Sequence, residues 1–589
     1  MPNSRLPEWL EKRYGILWNA FKDRDFTREE LIKVLREKSG DDERTAGVII
    51  SELNKGGWLK IKLDPNDARK RLYRLEDMFS LDRFIKTTSK LTRDDVKNLL
   101  KRAADLIRTR VDYKFILILL FLKRISDKWE LEYEKAYKEA LEDGLSEEEA
   151  KEEAKSSVYH DFDLPEEFLW DNIRKDVNRL PEKLSQALKA IGERNPELKD
   201  VVDRADFIQF TTNTENSEIL RQLVELFSSR KLHHVSADIL GDAYEWILGY
   251  FAPQKAKEGE VYTPREVIKL LVEILDPKPK ESVYDPACGS GGMLIIAHKH
   301  VEEKFGKEEA RKLFLFGEEA NQTTYALCKM NVFIHDIRDV DVRNGDTLIY
   351  PKFREGETLK QFDVVVANPP WNQDGYPEEV LKKGEFWRQR FKYGFPPKQS
   401  ADWAWIQHML ASAKDDKGRV GVVIDNGCLF RGGKEKTIRS KILEDDLIEC
   451  VILLPEKLFY NTGAPGAIII LNKNKPPERK NKILFINASQ EYEKHPDVRK
   501  LNRLGKENIK NIVEAYQGKL TDGFARLIPL DEIRNNDYNL NVTLYVFPQE
   551  EIEEIDVKKE WSDLKTIENE IKSVENKIEG FLKVVGING

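Results

Sequence analysis

The sequence predicts an α/β protein whose parallel sheet lies between about residues 251 and 475, behind a long helical region and a small winged-helix-like module. Three observations carry that reading. Short apolar runs at Ser282–Asp285, Leu313–Gly317 and Phe362–Ala367 alternate with helical stretches, the pattern of strands joined by crossover helices. Residues 85–250 space their apolar positions as helices do, for example Ile219, Leu220, Leu223 and Leu226. Near the C-terminus Leu564, Ile567, Ile571, Val574, Ile578 and Phe581 recur at intervals of 3, 4, 3, 4 and 3, a coiled-coil seam.

The first 78 residues read as three helices and a hairpin. Asp25-Phe26-Thr27 precedes an amphipathic stretch with Leu31, Ile32 and Leu35, and a second stretch carries Val48, Ile49, Ile50 and Leu53. Trp58–Leu63 alternates like a strand, and Arg71–Leu75 returns after a turn at Asp64-Pro65-Asn66-Asp67. The hairpin carries six cations (Lys60, Lys62, Arg69, Lys70, Arg71, Arg74) against two acids, Asp64 and Asp67. Such a wing suits DNA phosphates, and it equally suits a module used for protein contacts.

Composition narrows the class. A chain of 589 residues with 34 % charged and 40 % hydrophobic residues is globular and divides into about three or four domains. Its longest apolar run, Phe115–Leu122, is far short of the ~20 residues that span a bilayer, and the N-terminus lacks an apolar signal region, so a cytoplasmic protein is expected. Four cysteines without metal spacing, and His233-His234 without neighbouring ligands, predict neither a disulfide framework nor a metal site. The net charge of −8 leaves any DNA contact to local basic patches or to a partner. The charged stretch from Glu130 to Lys155 reads as a solvated helix face or helical hairpin.

The chemistry concentrates in the sheet region. Ser282–Asp285 leads into Pro286-Ala287-Cys288-Gly289-Ser290-Gly291-Gly292 and then a helix, a turn that lets a ligand approach the backbone at the sheet's carboxyl edge. The glycines depart from the dinucleotide pattern and no Walker lysine follows, which disfavours a phosphate cradle. The next strand ends in Glu318-Glu319, and Glu319 is placed to take ribose hydroxyls. Asp346 follows in Asn344-Gly345-Asp346-Thr347-Leu348, positioned to accept from an adenine amino group. The strand Phe362–Ala367 then stops at Asn368-Pro369-Pro370-Trp371, because the prolines remove N–H donors and fix φ. An amide, a rigid carbonyl and an aromatic face at one strand end can hold an exocyclic amino group and stack on its ring. Further on, Phe386–Tyr393 interleaves Arg388, Arg390 and Lys392 with aromatics, a pattern suited to unstacked nucleotides.

In this order the motifs resemble those of gamma-class S-adenosylmethionine-dependent amino-methyltransferases, and more narrowly the modification subunit of type I restriction–modification systems. The likeness also rests on Asp112-Tyr113-Lys114, Leu122–Asp127, Gly259–Pro264, Gly317–Asn331, Ser400–Leu410, Leu429-Phe430-Arg431-Gly432-Gly433 and Leu458–Gly463. The resemblance implies a Rossmann-like methyltransferase domain over 251–475, an α/β extension over 476–555, a helical N-terminal domain over 85–250 and a docking helix over 556–589. Tyr262, Thr263 and Pro264 would line the methionine end of S-adenosylmethionine, and Asp285, Ala287, Gly289, Ser290 and Gly291 would form its loop. Glu319 would hold its ribose and Asp346 its adenine, while Asp402 would hold its amino group or support the catalytic loop. Asn368, which would also touch the cofactor, and Pro369 would accept from adenine N6–H and Trp371 would stack on the ring, in a direct transfer without covalent intermediate or metal.

The implied partners are double-stranded DNA with a flipped adenine, a specificity subunit shared by two modification subunits, and a restriction subunit. No target-recognition domain is evident after residue 475, so sequence reading is expected to fall to another chain. The rival readings are transfer to cytosine N4 or a protein glutamine, and a non-catalytic DNA-binding or assembly protein. Asn rather than Ser at 368 leans towards adenine.

Overall fold

The computed structural model describes residues 8–22, 24–55, 58–64, 67–75, 91–107, 111–199, 207, 210, 214–232, 235, 237–256, 263–460, 462–496, 498–547 and 557–584. His233, His234 and Tyr262 lie outside them, as do the side chains of Arg69, Lys70 and Phe581. None of the described helices is long and apolar enough to cross a membrane.

Three helices, Glu8–Phe21, Arg28–Ser39 and Glu43–Lys55, precede strands β1 (Leu59–Asp64) and β2 (Asp67–Leu75), which pair antiparallel with Leu59 opposite Leu75. Thr27 caps the second helix through a reciprocal bond with Glu30, and Gly40 ends it in the left-handed region at φ 72°. Phe26 bridges to Tyr73, adding a third partner that its sequence neighbours do not reveal. Leu17, Leu31, Leu35, Ile49 and Leu53 close a core of their own.

The central region is helical, as its spacing predicts. The helix Lys114–Glu142 buries the run Phe115–Leu122 and turns at Gly144 (φ 91°) into Glu147–Glu153, so the charged stretch is a helical hairpin. Lys123 and Asp127 form a buried pair at 2.5 Å, and burial lowers the Lys123 ammonium to about 8. Asp127 also accepts from the Leu232 N–H, which ties this helix to the chain beyond Ser228. The bundle's core continues into Leu327, Met330, Phe333 and Ile334 of the helix Gln322–Ile334, and so seats the helical region against the sheet.

The sheet comprises β3 (Ser282–Asp285), β4 (Phe314–Glu319), β5 (Val340–Asn344), β8 (Val364–Ala367), β9 (Arg419–Asp425), β10 (Ile448–Leu453), β11 (Gly466–Asn472), β12 (Lys482–Asn487) and β15 (Ala525–Pro529). Two-residue strands make separate hairpins, β6 (Arg354–Glu355) with β7 (Thr358–Leu359) and β13 (Glu493–Lys494) with β14 (Asn502–Arg503). The order is β15-β12-β10-β11-β9-β8-β3-β4-β5. The sheet is mixed rather than wholly parallel: β11 runs antiparallel between β9 and β10, and β15 runs antiparallel on β12. An apolar run is compatible with either direction, so composition alone cannot show the reversal. The described residues of the 476–555 extension, 476–496 and 498–547, continue this same sheet through β12 and β15. Helices Arg265–Leu275 and Gly292–Phe305 cover one face, and Asp402–Ala411 and Gly433–Glu444 the other.

The last helix, Val557–Val584, stands apart in its exposure. Leu564, Ile567, Ile571, Val574 and Ile578 are each between 47 % and 53 % exposed.

Candidate active site

Strands β3 and β8 are neighbours at the centre of the sheet, where successive strands stop extending one way (β3, β4, β5) and begin extending the other (β8, β9). Ligands bind at such a reversal, beyond the strands' carboxyl ends. The end of β3 carries Asp285 and the glycine loop, and the end of β8 carries Asn368. Between them opens a cleft lined by Thr263, Asp285, Gly289, Ser290, Met293 and Asn368 among others. Gly291 adopts φ 85°, and a Cβ there would meet the Cys328 sulfur at 2.9 Å, so this turn requires glycine twice over.

On one side of the cleft the acids are held chiefly by backbone amides. Asp285 is buried and accepts from the Ala287 N–H at 3.0 Å, and burial pushes its carboxyl up to about 8. Glu319 spans the loop and the strand end: its two oxygens accept from the N–H groups of Gly289 (3.0 Å) and Asn321 (2.7 Å). Asp346 accepts from the amides of Leu348 and Ile349 and from the Tyr376 hydroxyl at 3.0 Å. Glu318 points the other way, fully buried, and accepts from Tyr284 (2.8 Å), Thr347 (3.0 Å) and the Lys352 N–H (3.1 Å). Cys288 is buried 3.9 Å from the Cys328 sulfur, and that contact together with burial keeps it a neutral thiol.

On the other side the Asn368 amide is fixed at both ends. Asn368 Nδ2 donates to Thr263 Oγ1 at 2.7 Å, and Asn368 Oδ1 accepts from Trp371 Nε1 at 2.9 Å. The indole also reaches the Val423 carbonyl at 3.3 Å and sits edge-on to Phe459, centroids 4.7 Å apart. A Cβ at Gly466 would strike both rings, at 2.8 and 2.9 Å, so glycine makes their room. The Trp371 N–H thus occupies the amide oxygen that was expected to receive an amino group.

Asp402 sits beside the loop that follows Asn368. Its buried carboxylate accepts from the N–H of Asn372, the residue after the tetrapeptide, at 2.9 Å, and burial raises its pKa. Arg431, to which sequence reasoning assigned no role, donates to the other oxygen at 3.0 Å. Tyr376 was likewise missed; both lie tens of residues from their partners, and local pattern carries no signal for either.

The basic candidates divide. Lys60, Lys62 and Arg71 are exposed on the hairpin. Arg388 is exposed with its guanidinium 5.0 Å over Trp387, and Lys392 is exposed with its ammonium 4.6 Å over Tyr393. Arg390 is a correction. It is 1 % exposed and donates to the carbonyls of Thr347 (3.0 Å) and Glu385 (2.5 Å), because the one-turn helix Trp387–Arg390 turns it inward. Burial lowers its guanidinium to about 10, and it braces the Asp346 turn instead of facing DNA. Among the described residues no cluster of His, Cys, Asp and Glu could hold a metal.

Comparison with known proteins agrees with this geometry. Residues 235–554 match the N-6 DNA methylase family, and residues 96–227 match the HsdM N-terminal domain. The chain is 46 % identical over 588 residues to the type I restriction enzyme MjaVII methylase subunit of Methanocaldococcus jannaschii, covering 98 % of each. It is 44 % identical over 590 residues to the MjaVIII methylase subunit of the same organism, again over 98 % of each. Among solved structures, the type I restriction–modification methyltransferase subunit of Streptococcus thermophilus superposes with a TM-score of 0.67 at 28 % identity, over 77 % of this chain and 100 % of that one. The chain belongs to the N-6 DNA methylase family, as a methylase (modification) subunit of a type I restriction–modification system.

Proposed function

We infer that this chain transfers a methyl group from S-adenosylmethionine to adenine N6 in duplex DNA, at sites read by a separate specificity subunit. One observation carries the reading: the glycine loop after β3 and Asn368 after β8 line a single cleft. The glycine backbone and the acids at the strand ends fit an extended nucleoside with hydroxyl and amino groups. When bound, S-adenosylmethionine supplies an electrophilic methyl group on a positively charged sulfur. Thr263 and the Asp285–Gly291 loop would hold it, with Glu319 on the ribose and Asp346 on its adenine. By the family resemblance, Tyr262 and Pro264 would line the methionine end.

The remaining chemistry is the chain's own. Asn368 Oδ1 and the Pro369 carbonyl accept from the target N6–H groups, which draws the nitrogen lone pair out of conjugation with the ring. The Trp371 N–H yields the amide oxygen as the base enters, and its ring then lies on the base. Two prolines hold the carbonyl rigid, so catalysis rests on positioning and on polar groups aimed at the developing charge. Adenine is unreachable inside a duplex, so it is flipped out, at a cost of a few kcal/mol. Arg388, Lys392 and the exposed cations of the winged hairpin are placed for phosphates.

The exposed seam of the Val557–Val584 helix fits helices of a specificity subunit, with two modification subunits sharing one and a restriction subunit joining for cleavage. Such a complex works in the cytoplasm, on the cell's own DNA. Transfer to cytosine N4 or to glutamine has less support, given Asn368 and the family match, and a purely structural role leaves the assembled cleft without a purpose.

The test incubates unmodified host DNA with the full chain, its specificity partner and methyl-labelled S-adenosylmethionine. Label is expected in N6-methyladenine. Asn368→Ala should lower the rate by about 10²–10³-fold, a larger loss than any change in cofactor affinity. Label in N4-methylcytosine or in protein would refute the substrate.

A further inference from the structure

The motif Leu429–Gly433 has no assigned role, and its arginine reaches the catalytic loop. Asn372, directly after Trp371, adopts the left-handed region at φ 52°, which asparagine tolerates better than most residues with a side chain. Two contacts hold it there. Its N–H donates to Asp402 Oδ1 at 2.9 Å, and its own Oδ1 accepts from an Arg431 guanidinium nitrogen at 2.6 Å. That nitrogen also lies 3.4 Å from Ser400 Oγ. The other terminal nitrogen bridges Asp402 Oδ2 at 3.0 Å and Asp425 Oδ2 at 2.7 Å, while Nε lies 3.4 Å from Glu435. One planar fork thus joins the loop after β8, the end of β9 and the start of the helix Asp402–Ala411.

The fork is itself anchored. Arg439, 1 % exposed, donates to the Arg431 carbonyl at 3.0 Å and the Cys428 carbonyl at 3.2 Å, which fixes the turn that presents Arg431. The next loop residue is secured as well: the Gln373 carbonyl accepts from the Ala401 N–H at 2.8 Å, and its side chain accepts from Trp405 Nε1 at 3.1 Å. The loop's entry needs no such clamp, since Pro369 and Pro370 fix φ there. Its exit has none without these contacts.

We propose that Arg431 is a positioning residue for methyl transfer: it clamps the exit of the Asn368–Trp371 loop through Asn372 and Asp402, and so sets where the Asn368 oxygen and Pro369 carbonyl meet the target amine. The proposal rests on the functional reading above. A lysine would keep the charge among Asp402, Asp425 and Glu435 but cannot span Asn372, Ser400 and both aspartates at once, because an ammonium lacks the planar fork.

The experiment compares Arg431→Lys, Asn372→Gly and the double variant in the full chain assembled with its specificity partner. Glycine at 372 keeps the left-handed backbone and removes only the Oδ1 acceptor. Each single variant is expected to lower kcat by ~10-fold or more, with KM for S-adenosylmethionine and thermal midpoint close to wild type. The double variant should be no slower than the slower single, because both changes break one clamp. Unchanged kcat in Arg431→Lys, a loss confined to cofactor KM, or losses that multiply in the double variant would each overturn the proposal. If Arg431→Lys does not fold, Asn372→Gly, whose side chain is exposed, decides alone by the same split. If the wild type methylates something other than adenine, the functional reading falls while the kcat split still judges Arg431.

Discussion

The two sides of the cleft hold their acids differently. Around β3, β4 and β5, Asp285 and Glu319 are met by main-chain N–H groups, and Asp346 by two such groups and one tyrosine hydroxyl. Around β8 and β9, Asp402 and Asp425 share one arginine with Glu435, and the loop that bears Asn368 hangs on that cluster. Main-chain donors at strand ends hold carboxylates in place while a ligand comes and goes. A salt-bridged cluster fixes a loop before any ligand arrives. On the functional reading proposed above, the difference would separate binding from chemistry: the side proposed for the cofactor can exchange partners, and the side proposed for the target is held still.

Breaking the target side should do the most damage. Asp402→Ala removes the acceptor of the Asn372 N–H and strands part of the Arg431 fork in a site where Asp402 itself is fully buried. A loss of about 1–3 kcal/mol in stability is expected, because buried donors are left without partners. It should come with a fall in kcat larger than any change in cofactor affinity. Denaturant titration and single-turnover methylation measure the two losses. Weakened cofactor binding with intact turnover would instead place Asp402 on the cofactor side and erase the distinction.

Most of the fold was legible because its signals are local. The 3-4 spacing from Leu564 to Ile578 is a property of the helix itself, and the seam is there, exposed. Asn368-Pro369-Pro370 had to end a strand, since proline cannot continue one. Glu319 was separable from Glu318 by its place at the helix entry, and the structure turns them in opposite directions. What stayed hidden depends on distant partners or on direction. Nothing near Arg431 in sequence announces Asn372 or Asp402, which lie 59 and 29 residues away. Arg390 shares its alternating basic–aromatic surroundings with Arg388 and Lys392, and only the turn started by Phe386 at φ 53° points it inward. The antiparallel course of β11 was invisible for the same reason: Gly466–Asn472 is apolar at every core position whichever way it runs.

On the cofactor side the sharper test is pH. An aspartate in the unfolded chain ionises near ~3.9. In the folded chain burial pushes Asp285 up to about 8. Between those values the folded state holds a proton that the unfolded state has released, so this group's contribution to stability falls as pH rises from about 4 to about 8 and is constant beyond. Asp285→Asn removes the titration. The stability of the variant relative to wild type should therefore grow across that window, by at most ~1.4 kcal/mol per pH unit, while cofactor affinity drops. Urea midpoints at pH 5, 6, 7 and 8 give the comparison. Parallel curves would mean that the carboxylate is ionised throughout and that its amide contact outweighs its burial.

The smallest effect is expected where the two sides meet. Trp371→Phe deletes the N–H that caps Asn368 Oδ1 and keeps an aromatic face for the target base. Two consequences oppose each other. The amide loses one of its two anchors, which favours slower turnover, while the oxygen no longer has to be released before an adenine amino group can reach it. Thr263 Oγ1 still holds the other end of the amide at 2.7 Å, so the orientation survives. A neutral hydrogen bond is worth about 0.5–1.5 kcal/mol, and with a compensating gain kcat should stay within ~3-fold of wild type. Trp371→Ala loses the stacking face as well, worth about 1–3 kcal/mol per base, and should fall well below it. A loss in Trp371→Phe equal to that of Trp371→Ala would show that the indole N–H belongs to the working geometry, and that the target side is rigid up to the base itself.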